Sequence, residues 1–249
     1  MKKTILRLTF GFIILPAAIA GTLYHLNHTG FFNVENIEIV YEETADDQKS
    51  FLIPLVAELK NNMADYQKVS LWSLPLSKVS AEIANYKWIE TSSIKRSWPN
   101  TLTITVRPYE VKLLYMVGKS GKLLPVTKTG NFLDPIETSQ APDVALLDGE
   151  AFAKKPELRK KAVEVIAALP DEGSFSKKTV SEVRYDKQDG FWMTLIRTGV
   201  RVKIGEDQVA LKASRVSQVV DYLDSHQFDA RDIDANLSKK VLVKLRKNQ

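Results

Sequence analysis

The chain contains no cysteine. Disulfides, zinc–thiolate centres and thiol nucleophiles are therefore excluded together, and any core must hold by packing alone. Histidine is scarce: His25 and His28 adjoin the first apolar run, and His226 stands far downstream. With no HExxH spacing, no transition-metal site is expected, and an interfacial or solvated place is the plainer reading of each. The eleven glycines are spread singly, so no Gly-rich phosphate loop exists, and Gly118, Gly121 and Gly130 read as hairpin punctuation. Asp224-Ser225-His226 holds the letters of a catalytic triad, but that geometry is assembled from separated segments. A helix end and turn is expected there. Carboxylates are plentiful, yet nothing in the sequence selects a pair for one pocket. Trp72, Trp88, Trp98 and Trp192 read as core or turn anchors. No enzyme, cofactor or metal centre is expected.

Long hydrophobic runs are also absent, except one. Residues 8–26, LTFGFIILPAAIAGTLYHL, contain no Asp, Glu, Lys or Arg, and at ~1.5 Å per residue they approach the ~30 Å core of a bilayer. Lys2, Lys3 and Arg7 precede the run, whereas residues 27–48 lack Lys and Arg altogether and carry Glu35, Glu38, Glu42, Glu43, Asp46 and Asp47. That asymmetry predicts a cytoplasmic amino terminus with the remainder outside. A basic start, an apolar centre with Pro16 and an Ala18-Ile19-Ala20 step also describe a cleavable signal peptide. The continuation through Leu23, Tyr24 and Leu26 favours a retained anchor, and either reading exports the chain. Gly11 and Gly21 lack the four-residue spacing of a helix-packing motif.

The hydrophobic fraction of 44% and charged fraction of 26% are those of a folded chain. Three of the +5 formal charges belong to the leader, which leaves +2 for everything after it. Nucleic acid is a poor partner for so nearly balanced an exported body. The basic ending, Lys239, Lys240, Lys244, Arg246 and Lys247, reads as a solvated face.

After the apolar run, Val34, Ile37 and Ile39 predict a strand over 31–40. Asp46 and Asp47 are placed to cap a helix over 48–63 with Phe51, Leu52, Leu55, Val56 and Leu59 at helical spacing, and Pro54 either kinks it or marks its first turn. A second helix is predicted over 77–86, then strands over 89–96 and 101–106 joined by Ser97-Trp98-Pro99-Asn100. Further on, a helix is expected over 157–169, strands over 180–185, 191–196 and 200–204, and a long amphipathic helix over 208–223. The last predicted strand covers 241–245, with Val241, Val243 and Leu245 on one face.

The pattern Phe31-Phe32-x-Val34-x-x-Ile37-x-Ile39, a helical pair, then Trp88-Ile89, Lys95-Arg96-x-Trp98-Pro99-x-Thr101-Leu102-x-Ile104-x-Val106 resembles the POTRA domain of the FtsQ/DivIB bacterial cell-division family. In the second half, Val126-Thr127-x-x-Gly130-x-Phe132 and Pro142-x4-Leu147-x-Gly149 are similar to the start of that family's second domain. The resemblance implies an α+β chain: a short cytoplasmic segment at 1–7, a transmembrane helix at 8–26, a linker at 27–30, a β-α-α-β-β POTRA domain at 31–107 and a β-rich domain with flanking helices at 108–249.

It further implies a non-enzymatic, single-pass scaffold of the inner membrane at the division septum, its POTRA and β domains outside. The implied partners are FtsB/FtsL-like bitopic proteins and other divisome membrane proteins, with no nucleic acid and no small-molecule substrate. The implied surface is the last strand and the end of the helix before it: Leu237, Ser238, Lys239, Lys240, Val241, Leu242, Val243 and Lys244, with Val219, Tyr222 and Leu223. A final strand at a sheet edge has unpaired N–H and C=O groups that template an added strand, and its lysines both steer an acidic partner and guard the edge. Two alternatives stay open: a POTRA-type protein of export or envelope assembly, and a peptidoglycan-acting enzyme, which requires two carboxylates converging in a cleft.

Overall fold

The structure, a computed structural model, describes residues 2–42, 49–118, 121–237 and 240–246, with backbone alone at 2–13 and 49–51. The expected caps Asp46 and Asp47 and the side chain of Phe51 lie outside the described residues. The chain divides into two compact units, the first ending at Pro108 and the second resuming at Tyr109.

The first unit opens with α1 (Lys2–His28), 27 residues of helix, about 40 Å long. Ile14, Leu15, Ile19, Leu23 and Tyr24 on it are exposed. Among the described residues no helix is long and apolar enough to cross a membrane. The span expected at 8–26 is seen as helix, with bare apolar side chains from Ile14 to Tyr24.

Then follow β1 (Asn36–Tyr41), α2 (Lys49–Asn62), a 3-10 turn (Met63–Tyr66), α3 (Leu76–Ile83), β2 (Ile89–Ser97) and β3 (Thr101–Pro108). The order in the sheet is β1-β3-β2, with β3 parallel to β1 and antiparallel to β2. Alternation decides its inner face: Leu102, Ile104 and Val106 on β3 are fully buried, as are Leu59, Val79 and Ile83 on the helices. Pro54 lies inside α2.

The strand expected from 31 begins instead at Asn36. Gly30 at φ +82° turns the chain after α1, a conformation glycine adopts without steric cost. Residues 32–34 then bond to the 68–71 segment, through Leu71 N–H to Phe32 O (2.8 Å), Lys68 N–H to Val34 O (2.9 Å) and Val34 N–H to Val69 O (3.0 Å).

The second unit contains β4 (Val111–Met116), β5 (Leu123–Thr127), β6 (Leu146–Asp148), α4 (Glu150–Lys154), α5 (Pro156–Ala167), β7 (Val180–Asp186), β8 (Gly190–Leu195), β9 (Arg201–Gly205), α6 (Val209–Ser225), β10 (Ala230–Asp234) and β11 (Leu242–Leu245). They form one sheet in the order β11-β10-β9-β8-β7-β6-β4-β5. Two parallel crossovers organise it: α4 and α5 lie between the paired β6 and β7, and α6 lies between the paired β9 and β10. Phe152, Ala162, Phe175, Val183, Phe191, Met193, Val202, Ala213, Val216 and Ile233 join strands and helices in one core. Arg159 is buried with them, its guanidinium donating to Gly130 O (2.6 Å) and Phe152 O (2.6 Å).

The opposite face of this sheet is polar. Arg184 pairs with Asp148, Arg201 with Asp232, and Lys203 with Asp189 (2.5 Å) and Asp234 (3.6 Å). The two edges differ. Beside β5, residues 131–136 occupy the outer backbone groups: Leu123 N–H bonds Ile136 O (3.0 Å), Ile136 N–H bonds Leu123 O (2.8 Å) and Leu133 N–H bonds Pro125 O (2.9 Å). The β11 edge has no such cover among the described residues.

Candidate partner-binding edge

β11 pairs with one neighbour. Leu245 faces Ala230, Lys244 faces Asp232, Val243 faces Ile233 and Leu242 faces Asp234, antiparallel, with a bulge between Ala230 and Asp232. All four β11 residues are exposed, and the outer row of backbone groups is the open one.

Two anchors hold this short strand. Arg246 donates its N–H to Asp229 O (2.8 Å) and its guanidinium to Thr198 O (2.9 Å), in the turn between β8 and β9. At the other end, Lys212 of α6 is buried and uses its three donors on Ile204 O (3.1 Å), Asp207 (2.7 Å) and Asn236 Oδ1 (2.9 Å), fixing the chain as it leaves β10. Asn236 leaves no room beside Gly205, where a Cβ would overlap its side-chain amide.

Beside β11 lies an apolar groove of about 400 Å³, lined by Gln218, Val219, Tyr222, Leu223, Phe228, Val243 and Leu245. Its far wall is the end of α6, closed by a reversed turn. Gln227 takes a left-handed φ of +56°, Gln227 N–H bonds Asp224 O (3.2 Å) and Phe228 N–H bonds Leu223 O (2.9 Å). This is the Schellman arrangement, in which the residue after the left-handed one packs against the helix's last turn. Phe228 and Leu223 accordingly line the same groove. The exposed rings of Tyr222, His226 and Phe228 form a stack, with centroids 4.1 Å apart for Tyr222–His226 and 6.0 Å for His226–Phe228. Asp224-Ser225-His226 is the helix end expected of it.

Asp232 sits under β11. Burial pushes its carboxyl up, but the bonds from Arg231 and Arg201 and their charges outweigh that and hold it below the ordinary carboxylate value. The bond that Lys203 donates to Asp189 holds its ammonium above the usual value, against burial and with help from Asp234.

Of the expected surface residues, Val219, Tyr222, Leu223 and Val243 meet in the groove. Val241 is half-buried against the core, while Leu242 and Lys244 alternate to the other face of the strand. Leu237 and Lys240 are exposed to either side of Ser238 and Lys239, which lie outside the described residues. Gln218, Phe228 and Leu245 were not anticipated. Leu245 was visible as the third member of the Val241, Val243 alternation, and Phe228 as the apolar residue just after a helix end. Among the described residues no three His, Asp or Glu are arranged to hold a metal.

The architecture is that of a two-domain protein with an FtsQ-type POTRA module ahead of a mixed sheet: the POTRA domain, FtsQ-type, matches residues 56–109, and the Cell division protein FtsQ/DivIB, C-terminal model matches residues 115–236. Relatives that match 70% to 95% of the chain agree. Cell division protein FtsQ of Geotalea daltonii is 25% identical over 87% of this chain and 77% of its own length. That of Geobacter sp. strain M21 is 30% identical over 70% of this chain and 65% of its own, and that of Syntrophotalea carbinolica is 24% identical over 95% and 82%. The chain belongs to the FtsQ/DivIB family of cell-division proteins.

Proposed function

We propose that this chain is a non-enzymatic scaffold of the division machinery, held in the bacterial inner membrane by α1, that receives an FtsB-like strand, in company with an FtsL-like protein, along β11. The observation that carries the reading is the coincidence of an open backbone edge with an apolar groove running beside it. The edge supplies sequence-independent hydrogen bonds, and the groove supplies side-chain choice. Val219, Tyr222, Leu223, Phe228, Val243 and Leu245 form the groove, and Lys240 to Lys244 extend the edge. Lys240 and Lys244 steer an acidic segment to it.

The anchor reading is supported by the bare side chains from Ile14 to Tyr24, which water solvates poorly, and by the cations before and acids after the run. The domains after α1 then lie outside, at the septum.

The test is capture of co-expressed FtsB/FtsL ectodomains from the same organism by the full chain in detergent. A variant carrying Val241→Glu and Val243→Pro, checked for folding by circular dichroism, should lose them. Proline removes a ladder N–H and is tolerated at an edge without loss of fold. Full binding by the folded variant would place the partner elsewhere.

A further inference from the structure

We propose that the first unit stands on the bilayer through an aromatic foot, with Phe31, Trp72 and Trp98 seated in the headgroup region at the base of α1. The proposal rests on α1 being the membrane anchor. Each of these rings is about half exposed, whereas Phe32 between them is buried. Phe32 meets all three edge-on, with centroids at 5.1 Å for Phe31, 5.9 Å for Trp72 and 5.6 Å for Trp98, and Trp72 lies 4.8 Å from Trp98. Three exposed rings thus radiate from one buried ring as a single patch.

The patch begins where the anchor helix ends. Phe31 N–H bonds Leu26 O (3.0 Å) in the last turn of α1, and Ser70 Oγ donates to Asn27 Oδ1 (2.7 Å), tying the Trp72 turn to the same helix end. That turn is fixed from the other side: Arg96 donates to Leu71 O (2.6 Å) and Leu74 O (2.8 Å), which sets Trp72 beside Trp98. One turn back on α1, the exposed Tyr24 stacks on His28. Trp, Tyr and Phe bodies with polar neighbours are the side chains that favour the boundary between hydrocarbon and water. Continuity with a bare apolar helix therefore selects lipid headgroups as the occupant of this patch. Seated there, the rings set the height and tilt of the domain above the membrane.

The test uses the full chain in phosphatidylcholine–phosphatidylglycerol vesicles that carry lipid brominated near the headgroup end of its acyl chains. Flotation reads anchoring, and quenching of tryptophan emission reads the foot. Flotation with quenching in the native chain, lost in the Trp72→Phe/Trp98→Phe variant, supports the proposal, because Trp88 is buried and Trp192 belongs to the other unit. Should the double variant not fold, Trp72→Phe alone keeps the Arg96 bonds and should lose part of the quenching. A chain that floats with no quenching, or with equal quenching in native and variant, overturns the foot, leaves the anchor standing and assigns the patch to a protein partner. A chain that does not float overturns both.

Discussion

Gly205 and Lys212 show how single residues position the open edge. Gly205 has φ +76°, and a Cβ there would overlap Asn236. Gly205→Ala is expected to cost more than about 1 kcal/mol in urea unfolding and, by displacing Asn236, to weaken partner capture. Lys212→Met leaves the buried Ile204 carbonyl and the Asn236 amide without a donor, a loss of about 1–3 kcal/mol by the same measurement. Acid reports on Asp232. Its carboxyl is held low in the folded chain, so its contribution is fully present above the unfolded value, about 3.9, and is lost as pH falls through the depressed folded value. The urea midpoint should stay level down to about pH 4 and decline below it, with a shallower decline in Asp232→Asn. None of these roles was legible beforehand: a lysine, a glycine and an aspartate in a chain rich in all three acquire meaning only when β9, α6 and β10 meet.

Among elements, the strong periodicities were readable, the short β9 and β11 included, whereas β6 and β10 were not. Val209, Ala213, Val216, Val220 and Leu223 recur at helical spacing, and α6 follows them closely; the alternation of Leu102, Ile104 and Val106 marks β3 equally well. β10 is hard to read because ARDID puts charge on three of its five residues, and two of these, Asp232 and Asp234, face Arg201 and Lys203 on the polar side of the sheet. β6 is three residues long and gains its pairing only from β4 and β7. The groove follows from elements that are distant in sequence, so its wall on α6 was expected while Phe228 was not. Gln227→Gly relieves a left-handed residue and should raise stability by about 1 kcal/mol without altering capture. Tyr222→Ala and Phe228→Ala should each weaken partner binding by about 2 kcal/mol, roughly 30-fold in Kd by titration calorimetry.

For the molecule as a whole, charge order and one apolar run carry the proposed layout, since they depend on composition over tens of residues rather than on any contact. The turn at Gly30 was hidden because Phe32 and Val34 alternate as in a strand while their backbone bonds go to the 68–71 segment. The full chain should remain with membranes through alkaline extraction, and the same chain lacking residues 2–26 should be released.

The covered β5 edge has a consequence of its own. A sheet with two bare margins propagates: each added chain presents a fresh margin to the next. Here one margin is sealed by residues 131–136, so the β11 margin is consumed by its first occupant. Where the guest is the β11 of a second copy, whose own β5 margin is covered likewise, growth along this sheet ends after one addition. Two copies joined along this edge would therefore form a closed pair rather than a fibre.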